Sequence, residues 1–261
     1  MKRTPIIAPL PCFPESIRSF VEDAAIFDSS CSPEASVWYL EKGPGFYLKA
    51  APGGTLKAEA EMTAWFHSKG LAPEVLHYES ADRDWMLTRA ARGEDCIHSE
   101  YLSDPKRLCD TTALLLRQLH ETDIGGCPVP DRTHVYKATA IENYHAGRYD
   151  ASLFPDNWGF ATPEEAISLI NRNGHLLRND TLLHGDYCLP NIMLDNWRFS
   201  AFIDLGSSGV GDRHIDLFWG VWSLFFNLKT DQYRSRFLDA YGRESVEPEL
   251  LRLIAAFEVF E

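Results

Sequence analysis

The chain has 261 residues, with 25 basic against 38 acidic side chains, a net charge of −13, 45% apolar residues and 24% charged ones. This is the composition of a folded protein, long enough for one large domain or two lobes, and it excludes a disordered chain. The acidic excess argues against nucleic acid or anionic membrane as the main partner, because both need a basic face.

In the N-terminal stretch, Pro5, Pro9, Pro11 and Pro14 break up any apolar export segment. The short runs 37–40, 46–51, 75–78 and 85–88 read as strands, punctuated by Gly43 to Gly45 and by Pro52-Gly53-Gly54. Between them, 55–69 reads as a helix stopped by Gly70. From about residue 93 the pattern turns helical. Leu108, Thr112, Leu115, Leu116 and Leu119 form an amphipathic stripe on a helix opened by Asp104-Pro105. The stretch 122–160 reads as loop-rich, and a helix is expected over 163–175. Short apolar runs at 181–183 and 199–204 precede a helix over 212–226 that is apolar on nearly every face and so is expected inside its lobe.

This implies an α+β fold, with a small β-rich N-terminal lobe over 1–92 carrying one helix. A connector near 88–92 leads to a larger, mainly helical C-terminal lobe over 93–261. The most apolar stretch, 217–226, is about half the length that spans a bilayer. The cysteines at 12, 31, 96, 109, 127 and 188 are scattered without a CxxC pair, which predicts free thiols in a reducing, cytoplasmic setting.

The residues that can carry chemistry concentrate in 182–216, LLHGDYCLPNIMLDNWRFSAFIDLGSSGVGDRHID. Asp186 follows an apolar run, Asn191 comes five residues later, and a short strand delivers Asp204. Asn191 and Asp204 offer hard oxygens to a Mg²⁺ ion that also binds substrate phosphates. Asp186 is then free to orient an attacking hydroxyl and accept its proton, as phosphoryl transfer from ATP requires. In the N-terminal half, Lys49 lies mid-strand, where a charge needs a partner. Glu59 shares a helix face with Met62 and Phe66, so it points inward and can pair with Lys49, which then grips nucleotide phosphates. The alternative makes Lys49 an edge-strand gatekeeper and Glu59 a surface residue. His184 and His214 are expected to orient the loop. No GxxxxGK[ST], GxGxxG, HExxH or GxSxG motif occurs, which removes the commonest competing sites.

HGDYCLPNIM at 184–193 and FSAFIDLGSSGVGDRHID at 199–216 closely resemble the aminoglycoside phosphotransferases, particularly the 3′-phosphotransferase group, and YLKA around Lys49 and RQLHETDIGGCP at 117–128 extend the likeness over most of the chain. The resemblance implies a bilobal, protein-kinase-like fold and transfer of the ATP γ-phosphate to an aminoglycoside hydroxyl, conferring resistance. It implies that Asp186 is catalytic, that Asn191 and Asp204 bind magnesium, and that Lys49 and Glu59 form the phosphate-binding ion pair. Arg89 to Ala91 become the adenine hinge, while Asp156, Glu258 and Glu261 are left for a cationic sugar in a monomer or weak dimer. Departures lie on the substrate side. Ser207 and Trp222 stand where the group usually has arginine, Phe226, Asn227 and Phe257 where it has acidic residues, and Glu261 extends the terminus. The same machinery on another amino sugar or alcohol, or a non-catalytic nucleotide-binding protein, are the alternatives.

Overall fold

The computed structural model describes residues 3–6, 11–149 and 159–260. In chain order, β1 (Thr4–Pro5), α1 (Arg18–Val21), β2 (Ala25–Asp28), β3 (Ser36–Glu41), β4 (Phe46–Pro52), α2 (Lys57–Ser68), β5 (Val75–Ser80), β6 (Arg83–Arg89) and β7 (Glu94–Asp95) build the first third. There follow α3 (Ser99–Leu102), α4 (Pro105–His120), α5 (Arg132–His145), α6 (Pro163–Asn173), β8 (Thr181–Leu183), β9 (Ile192–Asp195), β10 (Arg198–Phe202), β11 (Gly209–Gly211), α7 (His214–Leu228), α8 (Arg234–Tyr241) and α9 (Pro248–Glu258).

The strands β1 to β6 form one antiparallel sheet in the order β1-β2-β3-β4-β6-β5. Its two faces follow from the period of two along a strand. Trp38, Leu40, Leu48, Ala50, Trp85 and Leu87 bury one face together with Ile17 and Phe20. Lys49 lies on the other face, opposite Val37 on β3 and Met86 on β6. It therefore sits on an internal strand, which removes the gatekeeper alternative. The helix α2 matches the predicted one within two residues at its start and one at its end, and Glu59, Met62 and Phe66 are buried on one face. Its start is held from outside the helix. The buried Asp84 carboxylate accepts the N–H groups of Gly54 at 2.8 Å and Leu56 at 2.7 Å, and the hydroxyl of Tyr78 at 3.1 Å.

Two compact units emerge, one comprising 1–99 with 190–206 and the other 100–189 with 207–261. The boundary thus falls after residue 99, and a late segment returns to the first unit, where the sequence suggested a single division at 92/93. The physical reason is a second sheet, in which β9 pairs with β7 on one side and β10 on the other. At Gly93, whose φ is +78°, a Cβ would lie 1.9 Å from the Leu194 carbonyl oxygen, so only glycine permits this approach.

In the second unit α4 carries the expected buried stripe, and Asp104 caps it by accepting the N–H of Arg107 at 3.2 Å. The stretch 122–160 is not all loop. It contains α5, capped by Asp131, with only Thr133, Tyr136 and Ala140 buried. The helix α6 stops at Asn173 and continues as a 3₁₀ turn through Leu176. The core joins Tyr136, Ile254, Phe257 and Phe260 to Ile215 and Leu183. Helix α7 packs on α4, α8 and α9 but is not enclosed on every side, as its composition suggested. Phe226 is 50% exposed near its end, stacked on Trp222 and covered by the Lys229 ammonium at 4.1 Å from the ring centroid. No helix among the described residues is long and apolar enough to cross a membrane.

Candidate active site

The first unit brings Lys49, Glu59 and Asp204 together. Lys49 Nζ donates to both carboxylate oxygens of Glu59, at 2.9 and 2.7 Å, and to Asp204 Oδ1 at 2.8 Å. Burial works against the lysine charge, but the two carboxylates outweigh it and hold its pKa above the ordinary lysine value. Burial pushes the Glu59 carboxyl up, and Lys49 only partly offsets this. The Glu59 side chain is 8% exposed and that of Asp204 55%. One carboxylate therefore anchors the lysine while the other stays accessible. Glu59→Ala removes the buried partner of Lys49 and leaves the lysine to the more exposed Asp204 alone, so the unfolding free energy is expected to fall by about 1–3 kcal/mol. Urea denaturation checks this, and an unchanged midpoint would contradict the burial argument.

Asp204 adopts a left-handed backbone, with φ of +60°, which costs free energy in a residue other than glycine. Such conformations persist where the surrounding structure over-determines them. Here the preceding Ile203 donates its N–H to the Asn191 carbonyl at 3.0 Å, tying the two hard-oxygen residues into one backbone frame. Both belong to the first unit, and an amide oxygen with a carboxylate suits Mg²⁺ better than a soft metal. At the end of β6, the Arg89 N–H is committed to the Glu74 carbonyl and its guanidinium to the Glu74 carboxylate, at 3.2 and 3.0 Å.

Asp186 lies in the second unit, on the loop after β8. Asp216 fixes this loop. Its fully buried carboxylate accepts the N–H of His184 at 2.7 Å and of Gly185 at 2.8 Å. His120 Nε2 lies 3.2 Å from the same carboxylate, and its Nδ1 lies 2.8 Å from the Tyr241 hydroxyl. Burial pushes the His120 imidazole down despite Asp216, so the neutral ring donates from Nε2 and accepts at Nδ1. His184 does orient the loop, accepting the Asp186 N–H on Nδ1 at 3.3 Å. His214 works elsewhere: it pairs with Asp212 at 2.7 Å and accepts the N–H of Glu247 on Nε2 at 3.0 Å, at the start of α9.

Glu258, at the end of α9, is buried, accepts the Tyr136 hydroxyl at 2.7 Å, and exerts its charge on Cys188 in the Asp186 loop. Asp156 and Glu261 lie outside the described residues. Asp216, the last residue of the segment 182–216, was not among the residues expected from the sequence. The available signal was a carboxylate in the first turn of an otherwise apolar helix, which must find donors once buried.

The model of the phosphotransferase enzyme family matches residues 33–254. A probable aminoglycoside 3′-phosphotransferase of Lactococcus lactis subsp. lactis (strain IL1403) is 49% identical over 249 residues, 95% of each chain. The solved structure of an aminoglycoside-3′-phosphotransferase of type VIII superposes with a TM-score of 0.77 at 24% identity, covering 94% of this chain and 97% of that one. An aminoglycoside phosphotransferase from Streptomyces rimosus ATCC10970, solved in complex with ADP and streptomycin, gives a TM-score of 0.73 at 21% identity, covering 94% and 96%. These likenesses agree with the α+β, protein-kinase-like fold expected from the sequence. By the family match and the near-complete relative at 49% identity, the chain belongs to the phosphotransferase enzyme family.

Proposed function

We propose that this enzyme transfers the γ-phosphoryl group of ATP to a hydroxyl, the 3′ one, of an aminoglycoside and so confers resistance to the drug. The observation that carries this reading is the 49% identity to the Lactococcus relative over 95% of both chains. The streptomycin and ADP bound to the Streptomyces structure lend support to a nucleotide and a cationic sugar as the two substrates.

In this reading the acceptor hydroxyl oxygen attacks the γ-phosphorus, the bond to the β,γ-bridging oxygen breaks, and ADP leaves. Asp186 orients the hydroxyl and takes its proton. Lys49, held by Glu59, binds the nucleotide phosphates. Asn191 and Asp204 would hold Mg²⁺, which when bound neutralises charge on the phosphates. The base lies against the backbone near Arg89 and Ala91, where the Arg89 N–H and guanidinium are already committed to Glu74. Glu258, with Asp156 and Glu261, supplies negative charge for the substrate's ammonium groups. The enzyme works in the cytoplasm, where ATP is available, as a monomer or weak dimer without nucleic acid.

The test is ADP release, coupled to a spectrophotometric signal, over aminoglycosides with and without a 3′-hydroxyl, with phosphorylated product identified by mass. Turnover confined to drugs bearing that hydroxyl is expected; silence across the panel would overturn the substrate assignment. One observation favours a second reading, a kinase of the same fold for another amino sugar or alcohol. The stacked Trp222 and Phe226 rings, 5.0 Å apart, stand on α7 where the sequence departs from the group's charged positions.

A further inference from the structure

One side of α7 holds the Asp186 loop at two points. Asp216 takes the N–H groups of His184 and Gly185 ahead of Asp186, and Ser223 Oγ accepts the N–H of Leu189 at 2.8 Å beyond it. Seven residues are nearly two helical turns, so Asp216 and Ser223 share one face of the helix. At 100° per residue Phe226 stands beside that face, three residues or about 4.5 Å along the axis from Ser223, with Trp222 behind it. These rings therefore flank the stretch of α7 that carries the Asp186 loop.

The pair has the build of a cation site. Trp222 and Phe226 are stacked, 12° from parallel with centroids 5.0 Å apart, and Trp219 packs against Trp222 in a T at 5.3 Å. With Trp222 on one face of the half-exposed Phe226 ring, the other face holds the Lys229 ammonium, 4.1 Å from the centroid. An ammonium in this position is attracted by the negative face of the ring. The backbone is committed to the same contact. Lys229 closes α7 with φ of +56°, its N–H on the Phe225 carbonyl at 2.9 Å, in a left-handed conformation that glycine would adopt at lower cost. A lysine stands there instead, and its side chain lies over Phe226. A primary ammonium on an alkyl carbon is also the group by which an amino sugar carries its charge.

We propose that the exposed face of Phe226, backed by Trp222, is the subsite for one ammonium group of the acceptor, and that Lys229 fills it until the substrate takes its place. The inference rests on the cationic acceptor proposed above. One ring face holds one ammonium, so lysine and substrate exclude each other. The exchange keeps the ring covered before and after binding, and the flexible stem of the lysine lets its charge return to water. The aromatic pair thus recognises a cation without a carboxylate of its own.

Steady-state kinetics of the full-length enzyme test this, on the drug of the aminoglycoside panel that turns over fastest. Phe226→Leu keeps the apolar bulk but removes the π face, and should raise the KM for the drug roughly 5-fold, the scale of one cation–π contact at an exposed site. The KM for ATP and the urea midpoint should stay at their wild-type values, because the ring is half-exposed and lies outside the nucleotide network. Phe226→Trp, which offers the stronger π face, should hold the KM at or below wild type. Lys229→Met removes the resident ammonium and should lower the KM roughly 3-fold, a gain on the same scale. That gain should vanish in the Phe226→Leu background, since without the ring there is nothing to compete for. A gain that persists there would reduce Lys229 to a repelling charge and overturn the exchange, as would an unchanged KM in Phe226→Leu. If the wild type leaves the whole panel untouched, the cationic acceptor fails and the subsite with it; if the wild type turns over while Phe226→Leu matches it, the subsite alone fails.

Discussion

An Asp186→Ala enzyme is expected to bind ATP as the wild type does and to turn over its substrate roughly 10²- to 10⁴-fold more slowly, the usual contribution of a positioned general base. Binding should survive because Lys49, Glu59 and Asp204 form a self-contained network in the other compact unit. The loop should survive because its backbone is held by Asp216 and Ser223, and the Asp186 side chain has no part in those bonds. Titration with a fluorescent ATP analogue and single-turnover kinetics separate the two quantities. Near-normal turnover, or loss of nucleotide binding in parallel with rate, would contradict the assignment.

The second large effect is expected at a residue with no side chain. Gly185 has φ of +85°, and a Cβ there would sit 1.9 Å from the carbonyl oxygen of Ser207. Neither side of that collision yields easily. The Gly185 N–H is bonded to buried Asp216, and just past Ser207, Gly209 is paired with Leu183 across β8 and β11. Gly185→Ala should therefore displace the loop by about 1 Å and cost roughly 100-fold in kcat, the penalty typical of such a misplacement. Left-handed strain of about 1–2 kcal/mol adds to the steric cost, so the urea midpoint should fall as well. A Gly185→Ala enzyme of normal stability and activity would mean the loop is far more plastic than its bonds imply. This also explains the middle letter of the HGD motif, which the sequence alone left without a reason.

How much could be read beforehand depended on whether a residue's meaning was local. Lys49 and Glu59 were legible because a charge in mid-strand and a carboxylate on an apolar helix face each need a partner, and the structure supplies each to the other. Asp216 was not, because its role depends on donors some thirty residues back in the chain. Helix α5 was missed because its buried face rests on Thr133, Tyr136 and Ala140, too few and too small to make a stripe. Strand β9 has four residues and follows a proline and an asparagine, so its pairing with β7 could not be foreseen. Phe226 is half exposed although α7 is apolar on nearly every face, because composition alone does not say which of those faces another helix covers.

The return of 190–206 to the first unit bears on how the protein is made. Domains generally fold as they leave the ribosome, the N-terminal one first. Here the first unit cannot be completed when residue 99 emerges, because β9 and β10 are still ninety residues from synthesis. Until then the nascent chain carries β7 without its partner and Lys49 without Asp204. A ribosome stalled before residue 206 would hold a chain whose first unit is open, and a fragment ending at residue 99 should be protease-sensitive for the same reason.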